Sequence, residues 1–273
     1  SGDRRFWDLR KPEVIEYLSH KVIDFLKRNG FDYIKVDYNE TIGIGCDGGD
    51  SLGDSLYEHI QAAQGFFKQI REELPELVIE VCSSGGHRLV HSFLELCSMA
   101  SFSDAHECDE IPIIAANMHR ILPPRQSQIW AVLRKEASLE KICYQMASGL
   151  LGRLCLSGDI GALTPDHWTV IDKGCAFYRQ AAPIIQSGLS ERLGSDILSY
   201  RAPEGWQAVI RRGSLDTLVV VHTFHHSPES LELECFGQLE ESFCPPAIKV
   251  SHTGNRLQLS GLHDFTGAAF ILR

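Results

Sequence analysis

The chain has 273 residues, 44% of them apolar and 23% charged, which is the balance of an ordinary soluble globular protein with material for one or two cores. A formal charge of −10 excludes nucleic acid and an anionic membrane surface as main partners, since both need basic patches, and fits a neutral or cationic small substrate. No apolar run is long enough to span a bilayer and the start lacks the order of a signal peptide, so a cytoplasmic setting is expected.

Residues 12–29 carry apolar positions at Val14, Ile15, Leu18, Val22, Phe25 and Leu26, helical spacing with proline in the first turn and Gly30 as the stop. Residues 31–38 read as a buried strand, followed by a glycine-rich loop over 43–53 and a helix over 55–73. The unit recurs: strand 77–82, apolar except for Glu80, the turn Ser83-Ser84-Gly85-Gly86, helix 89–96 and strand 99–102. Helix 139–150, strand 153–157 and helix 167–185 complete it, which predicts an α/β architecture with a parallel sheet and helices outside. Beyond about residue 188 the pattern changes to short strands at 197–200, 206–211, 217–224, 230–234, 247–251, 256–259 and 268–272, a small antiparallel β domain of sandwich type. Two domains are therefore expected, 1–188 and 189–273.

Nine cysteines occur singly with no C-x-x-C pair, which reads as reduced thiols and not as a disulfide framework or a zinc site. Residues 106–110 are rich in histidine and carboxylates but lack a regular ligand spacing, so no metal is expected.

The polar chemistry sits at three strand ends: Lys35-Val36-Asp37-Tyr38-Asn39, Cys82-Ser83-Ser84-Gly85-Gly86 and Ser103-Asp104-Ala105-His106-Glu107. In parallel α/β folds the carboxyl ends of strands line the ligand crevice, so the three clusters are expected to converge on one pocket. Alternation places Lys35, Asp37 and Asn39 on one side of their strand. A lysine beside Asp37 favours the ionised form that a nucleophile needs, and Asn39 offers an amide suited to hydroxyl groups. The structural alternative for Lys35 and Asp37 is an ion pair closing the core, and for Asp104 a helix cap or turn aspartate. The glycines after Cys82 allow backbone to approach a ligand, or simply make a tight turn. Two carboxylates facing each other across a pocket are the requirement of glycoside cleavage.

Over residues 4–190 the chain resembles glycoside hydrolase family 36, the melibiase-type α-galactosidases. Asp8-Leu9-Arg10-Lys11-Pro12-Glu13-Val14 is similar to the segment before a barrel helix, and Asp32-Tyr33-Ile34-Lys35-Val36-Asp37-Tyr38-Asn39 to the nucleophile strand. Glu80-Val81-Cys82-Ser83-Ser84-Gly85-Gly86 is similar to the turn after the next strand, and Phe102-Ser103-Asp104 to the Ser-Asp of the acid/base. The resemblance implies the C-terminal part of a (β/α)8 barrel followed by an antiparallel β domain, and a retaining mechanism without a cofactor. It implies Asp37 as nucleophile and Asp104 as acid/base, with Lys35 and Asn39 on sugar hydroxyls and Cys82, Ser84 and Gly85 around O2. It also implies a substrate-binding arginine from the preceding strand, to which Arg5 or its neighbour Arg4 is similar.

There are departures: Val36 stands where the family has tryptophan, and the run after Asp104 displaces the second aspartate to Asp109. The family's N-terminal β domain and first barrel strands are not in this sequence, so a fragment of a longer enzyme is expected. Its partners would be an α-galactoside oligosaccharide or glycoconjugate and the missing N-terminal part, with a homo-oligomer left open. The rival readings are an α-N-acetylgalactosaminidase, an α-galactosaminidase or a galactosyl transferase, a non-catalytic sugar-binding fragment, and an aldolase using Lys35.

Overall fold

In the computed structural model, which describes residues 6–37, 39, 42–43, 45–105 and 108–273, the chain divides into two compact units, Ser1–Ser101 and Phe102–Arg273. Pro12 opens the helical run of the first unit: α1 (Pro12–Leu18), a π turn (Ser19–Ile23) and α2 (Asp24–Asn29). The π turn lies where the Ser19 hydroxyl donates to the carbonyl of Ile15 at 2.8 Å, a side chain entering the helical ladder. Gly30, at φ 66°, ends the run in the left-handed conformation that the sequence position requires. Then come β1 (Tyr33–Asp37), α3 (Leu52–Glu73), β2 (Val78–Cys82), α4 (His91–Leu94) and β3 (Met99–Ser101). Ser51 caps α3 by accepting from the Asp54 amide at 3.0 Å. Strands β1, β2 and β3 are parallel neighbours in that order, and no strand among the described residues covers the outer edge of β1. Phe25, Phe31 and Tyr33 are exposed, as are the stacked rings of Trp7 and Tyr17.

The second unit continues with α5 (Ile111–Met118), β4 (Ser127–Leu133), α6 (Leu139–Gly149), β5 (Arg153–Gly158) and α7 (Pro165–Ser187), with β4 and β5 parallel. Eight antiparallel strands follow: β6 (Leu189–Gly194), β7 (Trp206–Arg212), β8 (Thr217–Thr223), β9 (Ser230–Glu234), β10 (Leu239–Phe243), β11 (Lys249–Thr253), β12 (Arg256–Ser260) and β13 (Gly267–Leu272). They form a five-stranded sheet, β10-β13-β8-β7-β6, and a three-stranded sheet, β11-β12-β9. One core joins the inward faces of both, with Ala208, Ile210, Val219, Val221 and Phe270 from the larger and Leu233, Leu257 and Leu259 from the smaller. This is a sandwich.

The larger sheet is buried on its other face too. Gln207 Nε2 donates to the carbonyl of Pro112 at 2.8 Å, and Arg211 Nη2 to that of Leu151 at 2.8 Å. The ring of His222 meets Tyr144 edge to face, centroids 4.9 Å apart. A Cβ on Gly267 would lie 2.5 Å from the Cα of Tyr144, so β13 and α6 are in direct backbone contact. The architecture thus changes type between Ser187 and Leu189, while compactness divides the chain elsewhere. Residues 102–187 share so much buried surface with the larger sheet that they form one body with it.

Segment 197–200, expected as a strand, is loop, with Leu198 almost wholly exposed and no alternation of burial. Helix 89–96 shrinks to the four residues of α4. Elements α5 and β4 carry no clear pattern in the sequence because most of their residues are buried, five of the eight in α5 and five of the seven in β4. Strands β6 and β10 are polar edge strands whose place is set by pairing with β7 and β13.

Candidate active site

Successive side chains of β1 point to opposite faces, so Tyr33, Lys35 and Asp37 share one face and Ile34 and Val36 the other. The parallel register sets Lys35 beside Glu80 and Asp37 beside Cys82. Asp37 is exposed at the carboxyl end of β1, and Cys82 is buried at the end of β2.

The cation of this face is held by Glu80, which is 1% exposed: Lys35 Nζ lies 3.5 Å from its Oε1. Burial pulls the Lys35 ammonium down, but Glu80, Cys82 and Asp37 together outweigh it, and its pKa stands above the ordinary lysine value. Lys35 is therefore an ammonium at neutral pH, a donor to hydroxyl groups and not a nucleophilic amine. Glu80 is the interruption in an otherwise apolar strand that the sequence displays, and its link to Lys35 was not read from it. A carboxylate in a buried strand is the usable signal, because it must find cationic or hydroxyl partners nearby.

Asn39 and the turn after β2 are one assembly. The Ser84 amide donates to Asn39 Oδ1 at 2.8 Å, and the Ser84 hydroxyl donates to the Asn39 carbonyl at 3.0 Å. Ser84 has φ 41° and Gly85 φ 73°, two left-handed residues in succession, and Ser83 bridges to Gly86. Such a conformation in a serine is strained, and the two bonds it donates to Asn39 hold it in place. Part of the hydrogen-bonding capacity expected of Asn39 toward a ligand is thus committed to shaping the turn.

The acidic and basic pair before α1 has a similar task. Arg10 Nε and Nη2 grip the two oxygens of Asp8 at 2.9 and 3.0 Å, and Nη2 also donates to the carbonyl of Asp47 at 2.7 Å. The glycine-rich loop after β1 is stapled to this pair, and the guanidinium holds the Asp8 carboxyl below its usual range.

Asp104 belongs to the second unit and is exposed, two residues after the buried Phe102. The Ala105 amide donates to Ser103 Oγ at 3.0 Å, which turns the chain at Asp104. Arg5, Tyr38, His106 and Glu107 lie outside the described residues. Among the described residues no group of three histidine, cysteine or carboxylate side chains is placed to hold a metal ion, and all nine cysteines are free thiols.

Residues 2–188 match the protein-family model described as Melibiase. No curated protein matches the sequence. Among solved structures, the α-galactosidase AgaA of Geobacillus stearothermophilus, of glycoside hydrolase family 36 and in complex with 1-deoxygalactonojirimycin, is similar at 16% identity and TM-score 0.77, over 100% of this chain and 41% of that one. The galactosidase domain of the α-galactosidase-sucrose kinase AgaSK is similar at 17% identity and TM-score 0.73, over 97% and 37%. The α-galactosidase of Lactobacillus brevis is similar at 16% identity and TM-score 0.72, over 97% and 38%. Variants of AgaA have been solved with raffinose and with stachyose. The chain spans about two fifths of the length of these structures. The likeness shows the fold: the C-terminal part of a (β/α)8 barrel followed by a small antiparallel β-sandwich.

Proposed function

Because this chain belongs to the Melibiase family, we propose that it is the C-terminal part of the catalytic barrel, with the β domain that follows it, of a retaining exo-glycoside hydrolase that releases terminal α-galactose. The carrying observation is the end of β1, where Asp37 stands exposed on the same face as a charged, anchored Lys35. The complexes of the Geobacillus relative with raffinose and stachyose support an α-galactoside oligosaccharide, free or in a glycoconjugate, as substrate.

In this reading Asp37 attacks the anomeric carbon while Asp104 gives its proton to the glycosidic oxygen, and the aglycone leaves. Asp104 then takes a proton from water, the water oxygen attacks the anomeric carbon, and Asp37 is released with the α configuration retained. Lys35 and Asn39 bind sugar hydroxyls, Cys82, Ser84 and Gly85 border O2, and Arg5 contributes from the segment before α1. Residues 1–188 supply the barrel part and 189–273 the β domain. A preceding part of the same protein completes the barrel, a role supported by the edge of β1 that no strand among the described residues covers and by the exposed aromatic rings of α1 and α2.

The test is Asp37→Ala in the longest native form of the protein. Hydrolysis of nitrophenyl α-galactoside should fall by about 10⁴-fold or more with the unfolding midpoint unchanged, as expected for loss of a nucleophile at an exposed strand end. Activity close to native would sink the assignment. In a crystal structure of that protein the carboxyl groups of Asp37 and Asp104 should stand about 5–5.5 Å apart, and about 6.5–9.5 Å would indicate inversion instead.

A further inference from the structure

Glu80 sits in the middle of β2, in a strand whose other residues are apolar or a thiol, and it is as buried as the core around it. Three strands converge on its carboxylate. From β1 the Tyr33 hydroxyl donates to Oε2 at 2.5 Å, from β3 the Ser101 hydroxyl donates to Oε1 at 2.5 Å, and Lys35 Nζ stands 3.5 Å from Oε1. Tyr33 and Lys35 are two apart on β1 and so share the face that Glu80 meets across the register. With a hydroxyl on each oxygen the carboxylate cannot turn, and a buried charge so fully held is a fixed point. Lys35 rises from that point with a third of its side chain still exposed, 33%, on the face that carries Asp37.

We propose that Glu80 is a positioning residue, which fixes the Lys35 ammonium in charge and direction so that it meets a sugar hydroxyl, and so governs substrate affinity more than the chemical step. The proposal rests on Lys35 being a substrate-binding residue of the activity proposed above. Among the described residues Asp37 and Cys82 also act on the Lys35 charge, but both lie farther along their strands, whereas Glu80 stands beside Lys35 in the register.

The test is Glu80→Gln, which keeps the side chain's shape and an oxygen for the hydroxyls while removing the charge. In a chain labelled at lysine, the titration of Lys35 followed by NMR should show its proton affinity falling about tenfold or more, because burial then acts without its main counter-charge. In the longest native form of the protein, KM for nitrophenyl α-galactoside should rise about tenfold with kcat changed less than about threefold, and Glu80→Asp should restore part of the loss. Adding Glu80→Gln to Lys35→Met should raise KM no further. An unchanged Lys35 titration, or a KM equal to native, would overturn the proposal. A fall in kcat at constant KM would overturn it as well. If Glu80→Gln does not fold, the native chain decides: Lys35 titrating at or below the ordinary lysine value overturns the pairing. A native protein that cleaves no α-galactoside would remove the activity proposed above, while the Lys35 titration would still decide whether Glu80 holds the ammonium.

Discussion

Gln145 reaches from the buried side of α6 to the carbonyl oxygen of Cys108, its Nε2 donating at 2.9 Å. Lys141 and Tyr144 project from the same helical face, at spacings of three and four residues. The Lys141 ammonium pairs with the Asp109 carboxylate, and the Tyr144 hydroxyl donates to the Asp109 carbonyl at 3.3 Å. One face of one helix therefore grips the chain just beyond Asp104. Farther along that face Ser148 meets His222 of the sandwich, Oγ to Nε2 3.1 Å. The β domain and the loop of the proposed acid/base share a support.

Replacing Gln145, a buried side chain, by Leu removes this donor to the half-buried Cys108 carbonyl. The expected loss is about 0.5–1.5 kcal/mol in urea unfolding, the net worth of one such hydrogen bond. With Asp104 as the acid, cleavage of raffinose should suffer more than cleavage of nitrophenyl α-galactoside, whose leaving group needs little protonation. Equal losses on the two substrates would separate the loop from the acid step.

Stability should decline in mild acid through two buried histidines. Burial pushes His222 down to about 3 and, with the help of Arg211, His119 down to about 4, from an ordinary value of 6.5. The Ser148 hydroxyl donates to the Tyr144 carbonyl at 2.9 Å, so it accepts from His222, and the ring is neutral with its hydrogen on Nε2. Below pH 6.5 the unfolded chain binds protons that the folded chain refuses, so stability is full above that pH and falls as pH drops toward the folded values. Each histidine contributes a slope of up to about 1.4 kcal/mol per pH unit in that window. Urea unfolding between pH 7 and pH 4 measures it, and His222→Gln should flatten the slope even if it lowers stability at pH 7. A native slope in that variant would exclude His222 as its source.

Gly267 begins β13 where the strand crosses α6 without clearance. An added Cβ would meet the Tyr144 Cα at 2.5 Å, the Tyr144 carbonyl oxygen at 3.2 Å and the Ala147 Cβ at 3.2 Å, and helix backbone cannot swing aside. Gly267→Ala should destabilise by about 2–3 kcal/mol through overpacking, seen as a lower thermal midpoint. A neutral substitution would mean that the sheet can lift from the helix.

Much of the fold is legible before any coordinates. The helix ended by Gly30, the strand through Lys35 and Asp37, the glycine turn after Cys82 and the long helix to Ser187 each follow from local rules of period, cap and turn. The failures are equally local in origin. Helix α5 and strand β4 are buried over most of their residues and so show no clear amphipathic period, whereas Ile197 and Leu198 look like strand and remain loop because no strand among the described residues pairs with them.

The end of β1 shows the same division. Its alternation alone sets Tyr33, Lys35 and Asp37 on one face, because side chains in a strand alternate whatever surrounds it. That Glu80 holds the lysine and that Asn39 braces the left-handed Ser84 were decided only by tertiary structure. Both depend on which residue of β2 lies beside which residue of β1. Strand register comes from the packing of segments far apart in the chain, and no local periodicity carries it.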